Sequence, residues 1–143
     1  MFLFYYYFRD SLMIRIKKEI LDSIISHARK DLPNEACGYL AGSEGIINKS
    51  YELTNTDHSP EHFSFDPAEQ FKTVKDARNN GLQISANYHS HPVTPARPSV
   101  EDIRLAYDPN ISYVIISLAL PEANVKSFRI VNGQVEKEDI EVV

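Results

Sequence analysis

Apolar positions along this chain change period several times, and each change marks an element. Residues 13–16 alternate weakly and open as a short strand. Ile20, Ile24 and Ala28 then recur every four residues, with Leu21 and Ile25 beside them. That is the stripe of an amphipathic helix over residues 17–32, stopped by Pro33 and Asn34. His27 falls inside it as a surface or packing position. Residues 35–42 (Glu-Ala-Cys-Gly-Tyr-Leu-Ala-Gly) form a strand of small residues, with Gly38 and Gly42 permitting close backbone approach. A tight turn at 43–45 leads to a hairpin partner over 46–53. A polar loop at 55–61 and a short strand at 63–65 follow. Asp66-Pro67 supplies an N-cap and a first-turn proline for a helix reaching residue 80, with Phe71 and Val74 facing inward and Gly81 closing it. Residues 82–88 are a strand leading into a polar stretch, and 99–107 are a short third helix. The apolar run 113–120 reads as an inner strand. Residues 125–131 and 135–143 pair as a hairpin around Asn132-Gly133. Helices between strands early and hairpins late predict an α/β fold: one mixed sheet with helices packed on it.

Composition narrows the class. The chain has 143 residues, 43% of them hydrophobic and 24% charged, which suits one soluble domain with a real core. A net charge of −5 argues against a nucleic-acid partner, which usually requires a basic surplus. The one cysteine, Cys37, excludes a disulfide framework within the chain and suits a reducing cytoplasm. It reads as a small buried strand residue, because nothing nearby would stabilise its thiolate. Residues 1–8 (Met-Phe-Leu-Phe-Tyr-Tyr-Tyr-Phe) are too short to span a bilayer and lack the basic start and cleavage site of a signal peptide. Residues 1–12 read as a leader or upstream start, and 13–143 as the domain.

The chemistry concentrates in residues 87–102. His89 and His91 share one side of a strand end, so both imidazoles can face one ion. Pro92, Pro95 and Pro98 stiffen the loop that follows. Ser99 then stands as an N-cap with Asp102 in the first helical turn. Taken singly, Ser99 and Asp102 are an ordinary cap and a dipole-favoured acid. Together with the histidines they complete two imidazoles and a carboxylate, a ligand set for a catalytic zinc that keeps a position open. Such a site needs a proton acceptor, and Glu35, opening the small-residue strand, is either that group or an ordinary surface glutamate in a loop. His58 and His62 are loop residues, with no cysteines nearby to build a second metal site.

Glu35, His89-Ser90-His91-Pro92, Ser99 and Asp102, with ten residues between His91 and Asp102, resemble the pattern of the JAMM (MPN+) zinc metalloproteases in their short prokaryotic form. Residues 33–42 look like that family's glutamate-bearing strand, and the similarity covers nearly all of 13–143. The resemblance implies a curved, partly barrel-like mixed sheet flanked by helices, related in architecture to cytidine deaminases. It implies one zinc ion held by His89, His91 and Asp102, with Glu35 as general acid/base and Ser99 donating to the oxyanion. Ser90 and Pro92 would shape the loop. The implied reaction is hydrolysis of a peptide or isopeptide bond after the C-terminal glycine of a ubiquitin-like sulfur-carrier or modifier protein. The bond broken would release cysteine from a carrier or free a lysine from a modifier; the sequence leaves both open, as it does the oligomeric state. Two rivals are weaker. A metal-free scaffold that only binds partners would not need the full ligand set. A nucleoside deaminase needs His-x-Glu and Pro-Cys-x-x-Cys, which one cysteine cannot supply.

Overall fold

A computed structural model of the chain describes residues 12–143. The aromatic stretch 1–8 and nearly all of the expected leader lie outside the described residues. The elements are β1 (Met13–Ile16), α1 (Lys18–Lys30), β2 (Cys37–Ser43), β3 (Ile46–Leu53), α2 (Pro67–Asn79), β4 (Gln83–His91), α3 (Val100–Arg104), β5 (Ser112–Ser117), β6 (Asn124–Val131) and β7 (Gln134–Val142). The strands close into a barrel in the order β1-β3-β2-β4-β5-β6-β7. β1 pairs parallel with both β3 and β7, β4 pairs parallel with β5, and the remaining neighbours are antiparallel. Four residues of β1 thus remove both open edges of the sheet.

Period-two alternation divides β5 between two cores and turns one side of β4 to the first. Ala86, Tyr88, Val114 and Ile116 pack with Ile24 and Ala28 of α1, while Tyr113 and Ile115 join Ala96, Phe128 and Ile130 in a second cluster. His89 and His91, being odd-numbered, leave the α1 side and emerge on the other face. His27 is no surface residue: it is 3% exposed, accepts from the Tyr88 hydroxyl at 2.6 Å and donates to Asp31 at 3.1 Å. Its position three after Ile24 on the apolar stripe was the available signal.

Gly38 makes room for Tyr88. A Cβ there would collide with the Tyr51 carbonyl and sit 2.6 Å from the Tyr88 ring. Gly38→Ala is therefore expected to cost about 1–3 kcal/mol, the usual scale of overpacking. A shift in the urea midpoint measures it, and an unchanged midpoint would show that β2 and β4 can separate freely.

Three expectations need correction. On α2 the buried residues are Thr73 and Ala77, whereas Phe71 is 71% and Val74 40% exposed. Small residues let this helix approach β4 closely, so the bulkier pair is turned away. The third helix is five residues rather than nine, because the chain leaves it after Arg104. Phe63 to Phe65 is not a strand; only the bridge Asn55–Phe65 forms, and the segment belongs to a loop.

Candidate metal centre

The site is built at the end of β4. Cys37 pairs with His89 across β2 and β4, and Ala36 and Ser90 extend that ladder. Ser90 donates its backbone N–H to the Ala36 carbonyl at 3.0 Å, and its hydroxyl accepts from the Ala36 N–H at 2.8 Å. One step further along the same antiparallel register, Glu35 lies opposite His91. Directly opposed residues share a face, so sequence-distant Glu35 arrives beside the histidines.

His89 Nε2, His91 Nε2 and Asp102 Oδ2 form a triangle with all three sides 3.1 Å. Each vertex has its own support. The His91 Nδ1–H donates to the Pro95 carbonyl at 2.8 Å, so the proline-rich loop fixes the ring. A carbonyl can only accept, so in neutral imidazole the Nε2 lone pair of His91 points inward. The His89 ring stacks on Phe63 at 4.7 Å. Asp102 is locked by a capping box: the Ser99 N–H donates to Asp102 Oδ2 at 2.9 Å, and the Asp102 N–H donates to Ser99 Oγ at 3.0 Å. The cap made by Ser99 and Asp102 thus also holds Asp102 Oδ2 in the triangle.

The donor set fits zinc. An inward lone pair on His91 and a carboxylate oxygen, 3.1 Å apart, repel unless a positive charge lies between them. Tetrahedral zinc, with bonds of about 2.0–2.1 Å, spans about 3.3 Å between neighbouring ligand atoms, close to the observed triangle. These three are also the grouping of metal-ligating side chains found among the described residues. Glu35 Oε1 and His89 Nδ1 are buried beside it without a hydrogen-bond partner.

Charges follow the geometry. Burial works to raise the Asp102 pKa, yet hydrogen bonds from His89 and His91 outweigh it and hold the carboxyl well below its ordinary range. Glu35, 3% exposed, is pushed by burial up to about 8, against the pull of His91. Cys37 shares that face, but burial pushes its thiol up to about 12, so it is inert. His62 is tied to Asp57 at 2.9 Å and lies outside the triangle, as does His58.

Sequence reasoning missed Asn55. Its amide donates to the carbonyls of Glu35 and His62, both at 3.0 Å, and accepts from the N–H groups of Asp57 and Ser64. It ties the loop carrying Phe63 to the backbone of Glu35. Nothing in a lone loop asparagine signals that from sequence. A cleft of about 720 Å³ runs from His89 and Asp102 between α2 and α3, floored by Tyr39, Asn87, Tyr113 and Ile115. Its volume is that of an ordinary ligand cleft.

Comparison with known proteins agrees with this geometry. A CysO-cysteine peptidase of Mycobacterium tuberculosis is 37% identical over 131 residues, covering 90% of each chain. A probable TtuB-protein conjugate cleaving protease of Thermus thermophilus is 31% identical over 124 residues, covering 86% of this chain and 80% of the relative. The solution structure of a Desulfitobacterium hafniense protein superposes with a TM-score of 0.84 at 50% identity, covering 92% of this chain and 93% of the other. The family model for prokaryotic homologues of the JAB domain matches residues 17–131. With its closed mixed barrel and its His-His-Asp triangle, the chain belongs to that family, the prokaryotic JAB (JAMM) proteins.

Proposed function

We propose that this protein is a zinc-dependent metallopeptidase of the cytoplasm, cutting the bond that follows the C-terminal glycine of a ubiquitin-like sulfur-carrier or modifier protein. The observation that carries the reading is the 3.1 Å triangle of His89, His91 and Asp102, with a buried, unpartnered glutamate opposite it. Relatives named as a CysO-cysteine peptidase and a TtuB-conjugate cleaving protease support the substrate class.

Zinc held by the three ligands supplies Lewis acidity, which polarises a carbonyl and makes water more acidic. The chain's own groups do the rest. Glu35 takes the proton of the attacking water and passes it to the departing amine. Burial pushes the Glu35 carboxyl up to about 8, and a cation held by His89, His91 and Asp102 would lower it, making the carboxylate available as a base near neutral pH. The Ser99 hydroxyl accepts from Asp102 N–H, which leaves its own proton free for the developing oxyanion. Phe63, against His89, walls the centre from water on one side.

Ser99→Ala is expected to lower kcat roughly 10²-fold, as for loss of one oxyanion donor. It also costs about 1 kcal/mol of capping. Zinc titration separates the two effects: affinity near wild type with kcat down supports the donor role, whereas affinity and kcat falling together would reduce Ser99 to a cap.

The activity itself is tested with carrier fusions ending in Gly-Gly-Cys and with Gly-Gly joined to a lysine side chain, their products weighed by mass spectrometry. A carrier ending at glycine is the expected product. Intact fusions after incubation with the zinc-loaded protein would refute the assignment.

A further inference from the structure

Asn87 lines the cleft two residues before His89. In the sheet it lies between Tyr39 on β2 and Tyr113 on β5. Its Oδ1 is buried without a hydrogen-bond partner. An amide oxygen left unmet there costs stability, since a buried polar group without a partner bears its desolvation penalty unrelieved. A leucine there would serve the fold better. The cleft it faces reaches from His89 back to Gln83. Six residues of extended strand correspond to roughly 20 Å, room for about six residues of an extended peptide. Its walls are largely apolar, with Val74 and Leu82 on one side and Leu105 and Ile111 on the other. Such walls hold side chains but leave the polar groups of a peptide backbone unpaired.

We infer that the Asn87 side-chain amide binds the backbone of the substrate's C-terminal tail, one peptide unit upstream of the reacting carbonyl, and so sets which tails are held in register. An amide is the natural complement of a peptide group, offering one donor edge and one acceptor. A peptide group in the cleft meets the edge of that amide which lines it, and it does so whatever side chains the tail carries. Apolar contacts with the walls then select alternate side chains of the tail. This inference rests on the peptidase reading.

The test compares wild type with Asn87→Leu and Asn87→Ala on a carrier fusion ending in Gly-Gly-Cys. A six-residue synthetic peptide, apolar at alternate positions and ending in Gly-Gly, serves as the binding probe. Both variants are expected to raise KM about tenfold with kcat within a factor of about two, because hydrogen bonds to the non-reacting tail are uniform binding. Asn87→Leu should unfold at the same or a higher temperature than wild type, which a structural asparagine would not allow. In wild type, the Asn87 side-chain amide resonances should shift as the peptide is added. An unchanged KM in both variants, or lost stability with unchanged KM, overturns the role of Asn87 while leaving the peptidase intact. A wild-type protein that neither binds the peptide nor cleaves the fusion overturns the functional reading, and this inference with it.

Discussion

Glu35→Gln is expected to keep the metal and lose hydrolysis by a factor of about 10²–10⁴, the scale of general acid–base catalysis. The substitution preserves shape and removes only the proton-accepting charge. Glu35 contributes no atom to the His-His-Asp triangle, so zinc stoichiometry should be unchanged. Zinc content and single-turnover rates on a Gly-Gly-Cys fusion check both halves, and retained turnover would remove Glu35 from its role. The same variant carries a stability signature. In the metal-free protein burial lifts this carboxyl from 4.5 to about 8. A raised folded pKa means that the folded state holds a proton which the unfolded chain releases. The stabilising protonated state is fully present below pH 4.5, and its contribution is lost as pH rises towards 8. At about 1.4 kcal/mol per pKa unit, metal-free wild type should be weaker than Glu35→Gln by a few kcal/mol near pH 8. Near pH 4.5 the two should converge. Denaturant midpoints at the two pH values give the comparison, and parallel pH profiles would place Glu35 in contact with water.

Asp102→Ala and His89→Ala are each expected to weaken zinc binding about 10²–10⁴-fold and to abolish activity. If roughly 10–16 kcal/mol of binding is shared among three protein ligands, each accounts for about 3–5 kcal/mol, or about 10²–10⁴ in affinity. Asp102 carries a further load, since the oxygen that meets both imidazoles also accepts the Ser99 N–H. Asp102→Ala therefore loosens α3 as well, by about 0.5–2 kcal/mol. Asp102→Asn separates these roles: it retains a capping side chain and gives up the charge. Calorimetric zinc titration should show Asn nearly as defective as Ala, with a smaller loss in thermal midpoint. Wild-type affinity in either variant would mean that the ion is held elsewhere.

Much of this architecture is legible from sequence because its causes are local. The four-residue recurrence of Ile20, Ile24 and Ala28 found α1, Asp66-Pro67 located the start of α2 within a residue, and Asn132-Gly133 marked the last hairpin. The metal triangle was equally local: same-side histidines, a stiff loop and an N-cap followed by an acid lie within fourteen residues. Glu35 was a different matter: its place at the start of the small-residue strand made it a candidate, but its arrival beside the histidines depends on the β2–β4 register, which no local pattern states. What escaped is likewise long-range. The partly barrel-like sheet that the resemblance implied closes through β1 on β7, over a hundred residues away, which no local pattern states, and the burial of Thr73 and Ala77 in place of Phe71 and Val74 rests on how closely α2 approaches the sheet. Asn55 and the His27–Tyr88 contact join segments whose meeting only the folded chain reveals.

The central claim is a single ion shared by three side chains. Crystals grown with zinc and measured on both sides of its absorption edge test it most directly. The expected result is one anomalous peak within about 2.0–2.2 Å of His89 Nε2, His91 Nε2 and Asp102 Oδ2. A peak that leaves out the Asp102 carboxylate, or none between the two imidazoles, would contradict the account.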